Sequence, residues 1–361
     1  MRRTATISLK FATKAKRQQI ESLAIAYQHV VQKYIDIAWE ESSVSLNKQS
    51  LALIQCPAIS ERYKSNALRQ ALQIVSYTKK SAIALKKLAN KPNFNGTMIL
   101  DAKFATIYLN RTNHFDGWIK LSTLTKGHPE WLPFKRTKPL NKWLNKGFVP
   151  LNALRLRKYN NSWYADLVLE KEIATIKTEG QSIGIDAGTK KALSLSTGQH
   201  IGDNYRYYIN KINRKHRDSK NYQQALIERD NYLRQELNKI DYNSIKAIYV
   251  EDIKYIQRNT KKEHQLNKTT RKILSTWVQA KTFRWLSHKC EENCVLLSYV
   301  PARYTSQACS KCGHIEKSNR NGELFRCKKC SFTTDADFNA SLNILSVGLG
   351  QLEFPVPKVN R

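Results

Sequence analysis

Four cysteines carry the clearest chemical signal in the chain. They are Cys309-x2-Cys312 and Cys327-x2-Cys330, followed closely by Thr334-Asp335-Ala336-Asp337-Phe338-Asn339. Two cysteines two residues apart sit on one tight turn that aims both sulfurs at a point. The segment between the pairs is long enough for a hairpin that returns the second turn to the same metal. The spacing predicts a tetrahedral thiolate site for one structural Zn²⁺, with Lys311, Lys328 and Lys329 offsetting its negative charge. Disulfides are the competing use of such pairs. Against them, no signal peptide is read at the start of the chain, and the other cysteines, Cys56, Cys290 and Cys294, are scattered and odd in number. Cys290 and Cys294 have no matching pair and read as buried thiols.

Three acids stand where carboxylates could do chemistry. Asp186 lies at the end of the apolar run Ser182-Ile183-Gly184-Ile185, the run Ile245–Val250 ends on Glu251-Asp252, and Asp337 opens a final helix through Leu345. An aspartate in an apolar strand is costly to bury unless it is paired or holds a metal. Two adjacent strand ends and a neighbouring helix can hold two divalent ions about 3.5–4 Å apart, the geometry of in-line phosphodiester hydrolysis. Oxygen ligands of this kind suit Mg²⁺ or Mn²⁺.

The elements that must position these groups follow from periodicity. Arg2 to Phe11 alternates as a strand, and Ile20, Leu23, Tyr27, Val30, Tyr34 and Ile37 recur at helical spacing. A second helix is expected from about Arg62 to Ala89, its Lys79 and Lys80 facing solvent or phosphate. Lys91–Gly96 breaks it. Short strands then follow at Ala105–Leu109, Trp118–Leu121, Ala153–Tyr159 and Trp163–Leu169. With the first strand they predict a small β-barrel interrupted by the helices, whose basic loops, Lys135-Arg136-Thr137-Lys138 and Arg155-Leu156-Arg157-Lys158, would lie against phosphates. Beyond a polar connector at Glu172–Gln181, a second strand at Leu193–Leu195 should pair with the Asp186 strand as a hairpin. Tyr205–Ile240 reads as helical and basic, with Arg214, Lys215 and Arg217 among Tyr207, Tyr208 and Tyr222. That mixture suits stacking and phosphate contact, or a helix packed on the sheet. Tyr255–Lys272, including Lys261 and Lys262, is nearly free of apolar residues and reads as a lid over the cleft or as a surface loop.

Charge selects the partner. With 61 Lys and Arg against 29 Asp and Glu, the formal net charge is +32 over 361 residues, a surplus that attracts polyanions and makes binding strongly salt-dependent. A membrane is excluded as the target: there is no apolar run of about 18 residues, and the cations are spread along the chain instead of gathered on one amphipathic helix. The expected setting is cytoplasmic, at nucleic acid.

Gly184-Ile185-Asp186, Val250-Glu251-Asp252-Ile253, Thr305-Ser306-Gln307-Ala308-Cys309-Ser310-Lys311-Cys312-Gly313 and Asp337-Phe338-Asn339-Ala340 together resemble the TnpB family of transposon-encoded RNA-guided DNA nucleases, relatives of the compact type V CRISPR effectors. The resemblance spans the chain and is most specific in its second half. It implies a multidomain α+β protein: an RNase H-like (RuvC) α/β nuclease core over 181–304 and 333–350, with a zinc-finger insertion at 305–332. A wedge-like β-barrel at 1–12 and 96–175 would be interrupted by a helical recognition domain at 13–95, and 351–361 would form a tail. It further implies Asp186, Glu251 and Asp337 as the catalytic acids, the four cysteines as zinc ligands, and a structured guide RNA with double-stranded and displaced single-stranded DNA as partners. A monomer is expected on separate grounds: one chain supplies the whole metal site, and a long nucleic acid would occupy most of the basic surface. The DxNA pattern selects Asp337 and leaves Asp335 as a helix cap; strand alternation points Asp252 away from Glu251's side of the sheet. Arg303, just before the TSQ string, is expected either as a phosphate clamp beside the metals or as a scaffold contact. Arg229–Ile240 departs from the His- and Ser-bearing helix that many members carry, which leaves transposon or CRISPR association open.

Three functions fit: a guided endonuclease, a guided DNA-binding repressor with weak or no cleavage, and an unguided nuclease or resolvase of the same fold. Retention of all three acids argues against the second, and the large basic amino-terminal half against the third.

Overall fold

The computed structural model describes residues 1–109, 114–172, 175–252 and 278–354, and the chain divides into two compact units, Met1–Glu172 and Ile173–Arg361.

In the first unit, β1 (Arg2–Ser8) leads into α1 (Lys14–Glu40), capped by Thr13, whose hydroxyl accepts from the Lys16 amide. A short helix α2 (Lys48–Ala52) precedes α3 (Glu61–Leu85), which is capped by Ser60 and ends where Lys86 turns left-handed at φ 50°. The apolar stripe of α1, Ile20, Leu23, Tyr27, Val30 and Tyr34, is buried as its spacing requires. Tyr27 carries its hydroxyl into the core and remains satisfied there, donating to Gln70 Oε1 (2.9 Å) and accepting from Asn66 Nδ2 (2.8 Å).

The strands of this unit form two sheets. β2 (Met98–Leu100), β6 (Val149–Tyr159), β7 (Ser162–Glu170) and β1 make one, in the order β1-β7-β6-β2; β3 (Ala105–Tyr108), β4 (Gly117–Leu121) and β5 (Glu130–Phe134) make the other. Both are antiparallel and share one core with α1 and α3. No ladder joins the two sheets among the described residues, so the expected barrel takes the form of a four-stranded and a three-stranded sheet. The expected basic loop at 135–138 is cut short by α4 (Lys138–Asn145), started by Pro139 and anchored by the buried Leu140.

The second unit is built on a five-stranded mixed sheet. β8 (Gln181–Ala187) is central; β9 (Leu193–Leu195) and β10 (His200–Ile201) extend it antiparallel on one side. β11 (Ile245–Glu251) and β12 (Leu296–Val300) extend it parallel on the other, giving the order β10-β9-β8-β11-β12. Alternation splits the sheet's faces. Ile183, Ile185, Ile248 and Val250 join the core formed with α5 (Tyr205–Asn213), α6 (Lys220–Glu236) and α7 (Gln279–Glu292). Gly184 and Tyr249 face the last helix, α8 (Ala336–Gly348). The stretch expected as helical over Tyr205–Ile240 forms two α-helices, because Asp218 adopts φ 67° and Ser219 restarts the chain as an N-cap, accepting from the Tyr222 amide at 3.1 Å.

Between β12 and α8 the chain makes a small three-stranded sheet, β13 (Arg320–Asn321), β14 (Leu324–Arg326) and β15 (Thr333–Asp335), over a miniature core of Cys309, Phe325, Cys327 and Ala336. Strand β15 runs straight into α8, so the cysteine knuckle and the helix of Asp337 share one ladder.

Candidate active site

Parallel pairing sets the first two acids side by side. Ile185 is the register partner of Val250, and one step further along each strand stand Asp186 and Glu251, at the carboxyl ends of neighbours and on one face. It is the face that α8 covers. A Cβ on Gly184 would lie 2.1 Å from the Ser341 carbonyl oxygen and 2.6 Å from the Leu345 nitrogen, so only glycine admits the helix this close. At the other end of the helix Gly348 does the same against the Tyr249 ring, where a Cβ would stand 2.2 Å away. The first turn of α8 then carries Asp337 to the strand ends, its Oδ2 lying 3.6 Å from the point a Cβ on Gly188 would occupy.

The acids feel one another. Asp186 is held well above the ordinary carboxylate range, first by enclosure and then by the negative charges of Glu251 and Asp337, with Arg320 opposing. Glu251, only 9% exposed, is also raised by burial, against the pull of a hydrogen bond from Thr305 and of Arg320. Arg320 bonds Asp337 directly, Nη2 to Oδ1 at 2.6 Å. One guanidinium from the cysteine knuckle is therefore the counter-ion of the whole acid cluster. Asp252 is exposed, as alternation requires.

A buried polar network fixes the surrounding chain. Thr305 Oγ1 donates to Glu251 Oε1, while Asn343 Nδ2 donates to the carbonyls of Thr305 and Ala308, both at 2.8 Å. One turn earlier on α8, Asn339 donates to Ala308 O (2.8 Å) and accepts from the Ser310 amide (3.0 Å). Asp335 caps the helix, its Oδ1 accepting from the amides of Asp337 (3.0 Å) and Phe338 (2.9 Å). Burial works against its ionisation, but the Phe338 amide and the Lys191 ammonium, 3.3 Å away, outweigh that and leave the carboxyl below its usual range.

The four sulfurs form a cage. One ligand atom from each of Cys309, Cys312, Cys327 and Cys330 lies within 4.8 Å of the others, with Cys309–Cys330 at 3.7 Å and Cys312–Cys327 at 3.6 Å. A tetrahedral Zn²⁺ with bonds of about 2.3 Å requires sulfurs about 3.8 Å apart, so the donor set fits that ion. Without an ion the four thiols do not ionise alike: burial pushes Cys309 up to about 12, whereas at Cys327 the amides of Cys330 and Lys329 overcome burial and bring the thiol down to about 6. Asn319 ties the two turns together: its Nδ2 donates to Gln307 O and His314 O, and its Oδ1 accepts from the Lys328 amide. The next residue is Arg320. Among the described residues only the sulfurs gather that closely, and the three carboxylates share a single guanidinium, that of Arg320. Their mutual repulsion is what divalent cations would relieve, so the acids fit such ions.

Several expected residues stand elsewhere. Arg303 does not meet the acids; its guanidinium lies 4.9 Å from the centre of the Tyr304 ring and bonds the Tyr304 hydroxyl at 3.4 Å. The cation at Asp337 is Arg320, whose hairpin between the two CxxC pairs looks in sequence no different from the flanking lysines. Thr305 opens the TSQ string, and nothing in its local pattern points to Glu251 as its partner. Among the basic residues, Arg157 grips Asp166 with two nitrogens (3.1 and 3.3 Å), Arg155 approaches the same carboxylate at 3.8 Å, and Arg136 turns inward toward Leu109 O. Lys79 bonds Trp39 O at 3.0 Å, and Lys135 lies 5.8 Å from the Phe11 ring centre. Lys80, Arg214, Lys215 and Arg217 are exposed. Lys261, Lys262 and the expected lid lie outside the described residues. No described helix is long and apolar enough to cross a membrane.

Residues 280–344, from α7 through the cysteine knuckle into α8, match the family model for the Cas12f1-like TNB domain. InsQ of Escherichia coli (strain K12), which bears the provisional name of an RNA-guided DNA endonuclease, is 30% identical over 223 residues, 52% of this chain and 54% of that protein. The TnpB-like protein of Aquifex aeolicus (strain VF5) is 25% identical over 260 residues, 57% of this chain and 80% of the relative. The chain is homologous to the TnpB-like proteins. The resemblance carried by the GID, VEDI, TSQ-x-CSKCG and DFNA strings is thereby borne out, although the match to InsQ spans only about half of that protein's length. Cas12f1 in complex with sgRNA and target DNA has a similar fold, with a TM-score of 0.54 at 15% identity over 93% of this chain and 82% of that one.

Proposed function

We propose that the protein is an RNA-guided DNA endonuclease that hydrolyses target DNA at a single RuvC-like site. The observation that carries this reading is the convergence of Asp186 and Glu251, at the ends of adjacent parallel strands, with Asp337 on the helix that Gly184 admits onto the same face. The mixed sheet order, with antiparallel strands on one side of β8 and parallel ones on the other, supports an RNase H-like core at 181–304 and 333–350. Homology to TnpB-like proteins and the fold of Cas12f1 support a structured guide RNA and a DNA target.

Asp186, Glu251 and Asp337 would hold two Mg²⁺ or Mn²⁺ ions, which when bound supply an activated water and stabilise the leaving 3′ oxygen. The chain's own groups do the rest. Thr305 orients Glu251 and favours its ionised form. Arg320 neutralises Asp337 in the resting site, and its planar fork suits a phosphate oxygen once the carboxylates have other partners. The four cysteines, holding Zn²⁺, keep the knuckle at 305–332 folded and thereby aim both Arg320 and α8.

Specificity rests on base pairing between guide and target, while the protein reads backbone geometry and a short duplex motif. The sheets at 1–12 and 96–175 serve as the wedge and the helices at 13–95 as the recognition region, with exposed cations such as Lys80, Lys135, Arg155, Arg214, Lys215 and Arg217 contacting phosphates. One chain contributes the entire acid cluster, which supports a monomer in the ribonucleoprotein. Sequencing the RNA that copurifies with the protein tests the reading. One discrete structured RNA with a variable end is expected, and a random mixture would overturn it.

A further inference from the structure

Helix α5 carries three tyrosines with three different fates. Tyr205 is buried in the core of the second unit, and Tyr208 stacks on Tyr232 with ring centres 4.6 Å apart and planes 23° from parallel. Tyr207 is left 60% exposed, held edge-on by Tyr208 at 5.3 Å and 82°. An exposed aromatic braced from behind keeps one ring face open at little further cost in side-chain entropy.

That open ring borders a cleft of about 190 Å³ lined by Tyr207, Asn210, Lys211, Arg214 and Lys215. Positions 207, 210, 211 and 214 form one stripe of the helix, opposite the stripe of Tyr205, Ile209 and Ile212 that anchors it. Lys211 is committed to Glu228 at 2.6 Å, whereas Arg214 and Lys215 are exposed and make no ion pair among the described residues. The cleft is smaller than the roughly 300–1,000 Å³ of small-molecule sites, so it suits one unit of a polymer. An aromatic platform, a carboxamide and two exposed cations without a direct ion pair, Lys215 feeling the Glu228 charge only at longer range, match in one concavity a base, its edge and its neighbouring phosphates. A merely solvated basic face would need neither the braced ring nor the concavity.

We propose that Tyr207, Asn210, Arg214 and Lys215 form a nucleotide subsite for single-stranded nucleic acid, with one base stacked on Tyr207 and the adjoining phosphates on Arg214 and Lys215. The proposal rests on the reading of the protein as a nucleic-acid enzyme, but none of these residues belongs to the acid cluster or the cysteine knuckle. RNA and DNA strands share the chemistry invoked, and the experiment separates them.

The test is photo-cross-linking of the full chain to 12-mers carrying 5-iodouracil, in parallel RNA and DNA arms, with the attachment site mapped by mass spectrometry. Attachment at Tyr207 is expected in at least one arm, and the arm that reacts identifies the strand. Tyr207→Phe should retain the cross-link, Tyr207→Ala should lose it at least tenfold, and the Arg214→Ala, Lys215→Ala pair should lower the slope of log affinity against log salt by about 1.4, at about 0.7 per phosphate contact. Failure of the unmutated protein to attach at α5 in both arms, or an undiminished yield in Tyr207→Ala, would overturn the subsite. Repeating the cross-link with Asp186→Asn separates the two readings, because attachment at Tyr207 does not depend on cleavage, and cleavage without attachment sinks only the subsite.

Discussion

Replacing Thr305 by valine should move the pH dependence of cleavage and leave the fold standing. Valine keeps the shape of the side chain, which is 1% exposed, and removes the one hydroxyl that donates to Glu251. A hydrogen bond to a charged group is worth about 1.5–3 kcal/mol, which is about 10- to 100-fold in the balance between ionised and neutral carboxyl, so losing it should raise the carboxyl further. Burial already holds Glu251 above the ordinary range, and its ionised form is the one that can hold a divalent cation. The acidic limb of the rate profile at sub-saturating Mg²⁺ therefore moves to higher pH. On this limb the variant is slower by about 10- to 100-fold, and raising the pH or the Mg²⁺ concentration restores the rate. Thr305→Ser, which retains the donor, should follow the unmutated profile. A Thr305→Val limb that does not move, or a loss of rate equal at every pH, would refute the assignment of Thr305 as the group that tunes Glu251.

The raised carboxyls also set the metal dependence of stability. Asp186 and Glu251 stabilise the metal-free fold below the ordinary carboxylate pKa of about 4 and lose that contribution as pH rises through their raised values. Mg²⁺ should therefore raise Tm more at pH 8 than at pH 5, and an equal or smaller gain at pH 8 would contradict the clustering. Gly184→Ala should cost about 1–3 kcal/mol or more in urea unfolding, because the two nearest of the three atoms facing the new methyl are backbone; a neutral substitution would mean that α8 does not sit on β8 as described. Cys309→Ser should lower the zinc content below one per chain and reduce cleavage along with Tm, since β15 leads directly into α8. Metal analysis that finds no zinc in the unmutated protein would dispose of the thiolate site.

Acid-ended apolar strands and paired cysteines were legible because each is a local pattern: a run of one period closed by a carboxylate, or two sulfurs on one turn. At Gly184 no local pattern says which helix comes close. What local pattern could not show is what acts across the chain. Arg320 meets Asp337 through a hairpin held by Asn319, and Thr305 reaches Glu251 from a loop far along the sequence. Arg303, expected as a phosphate clamp or as a scaffold contact, rests against its own neighbour Tyr304. In the first unit, β5 has no counterpart among the expected strands, and it carries Pro133, a residue that argues against a strand. It is tolerated there because β5 is the edge of its sheet.

Guided cleavage itself is the most direct test. The purified ribonucleoprotein, loaded with an RNA whose variable end is rewritten to match a chosen plasmid, should cut that plasmid in Mg²⁺ and spare an unmatched one. Asp186→Asn, Glu251→Gln and Asp337→Asn should each retain the RNA and lose the cut. Cleavage that ignores the RNA sequence, or that persists in any of the three variants, would contradict the account.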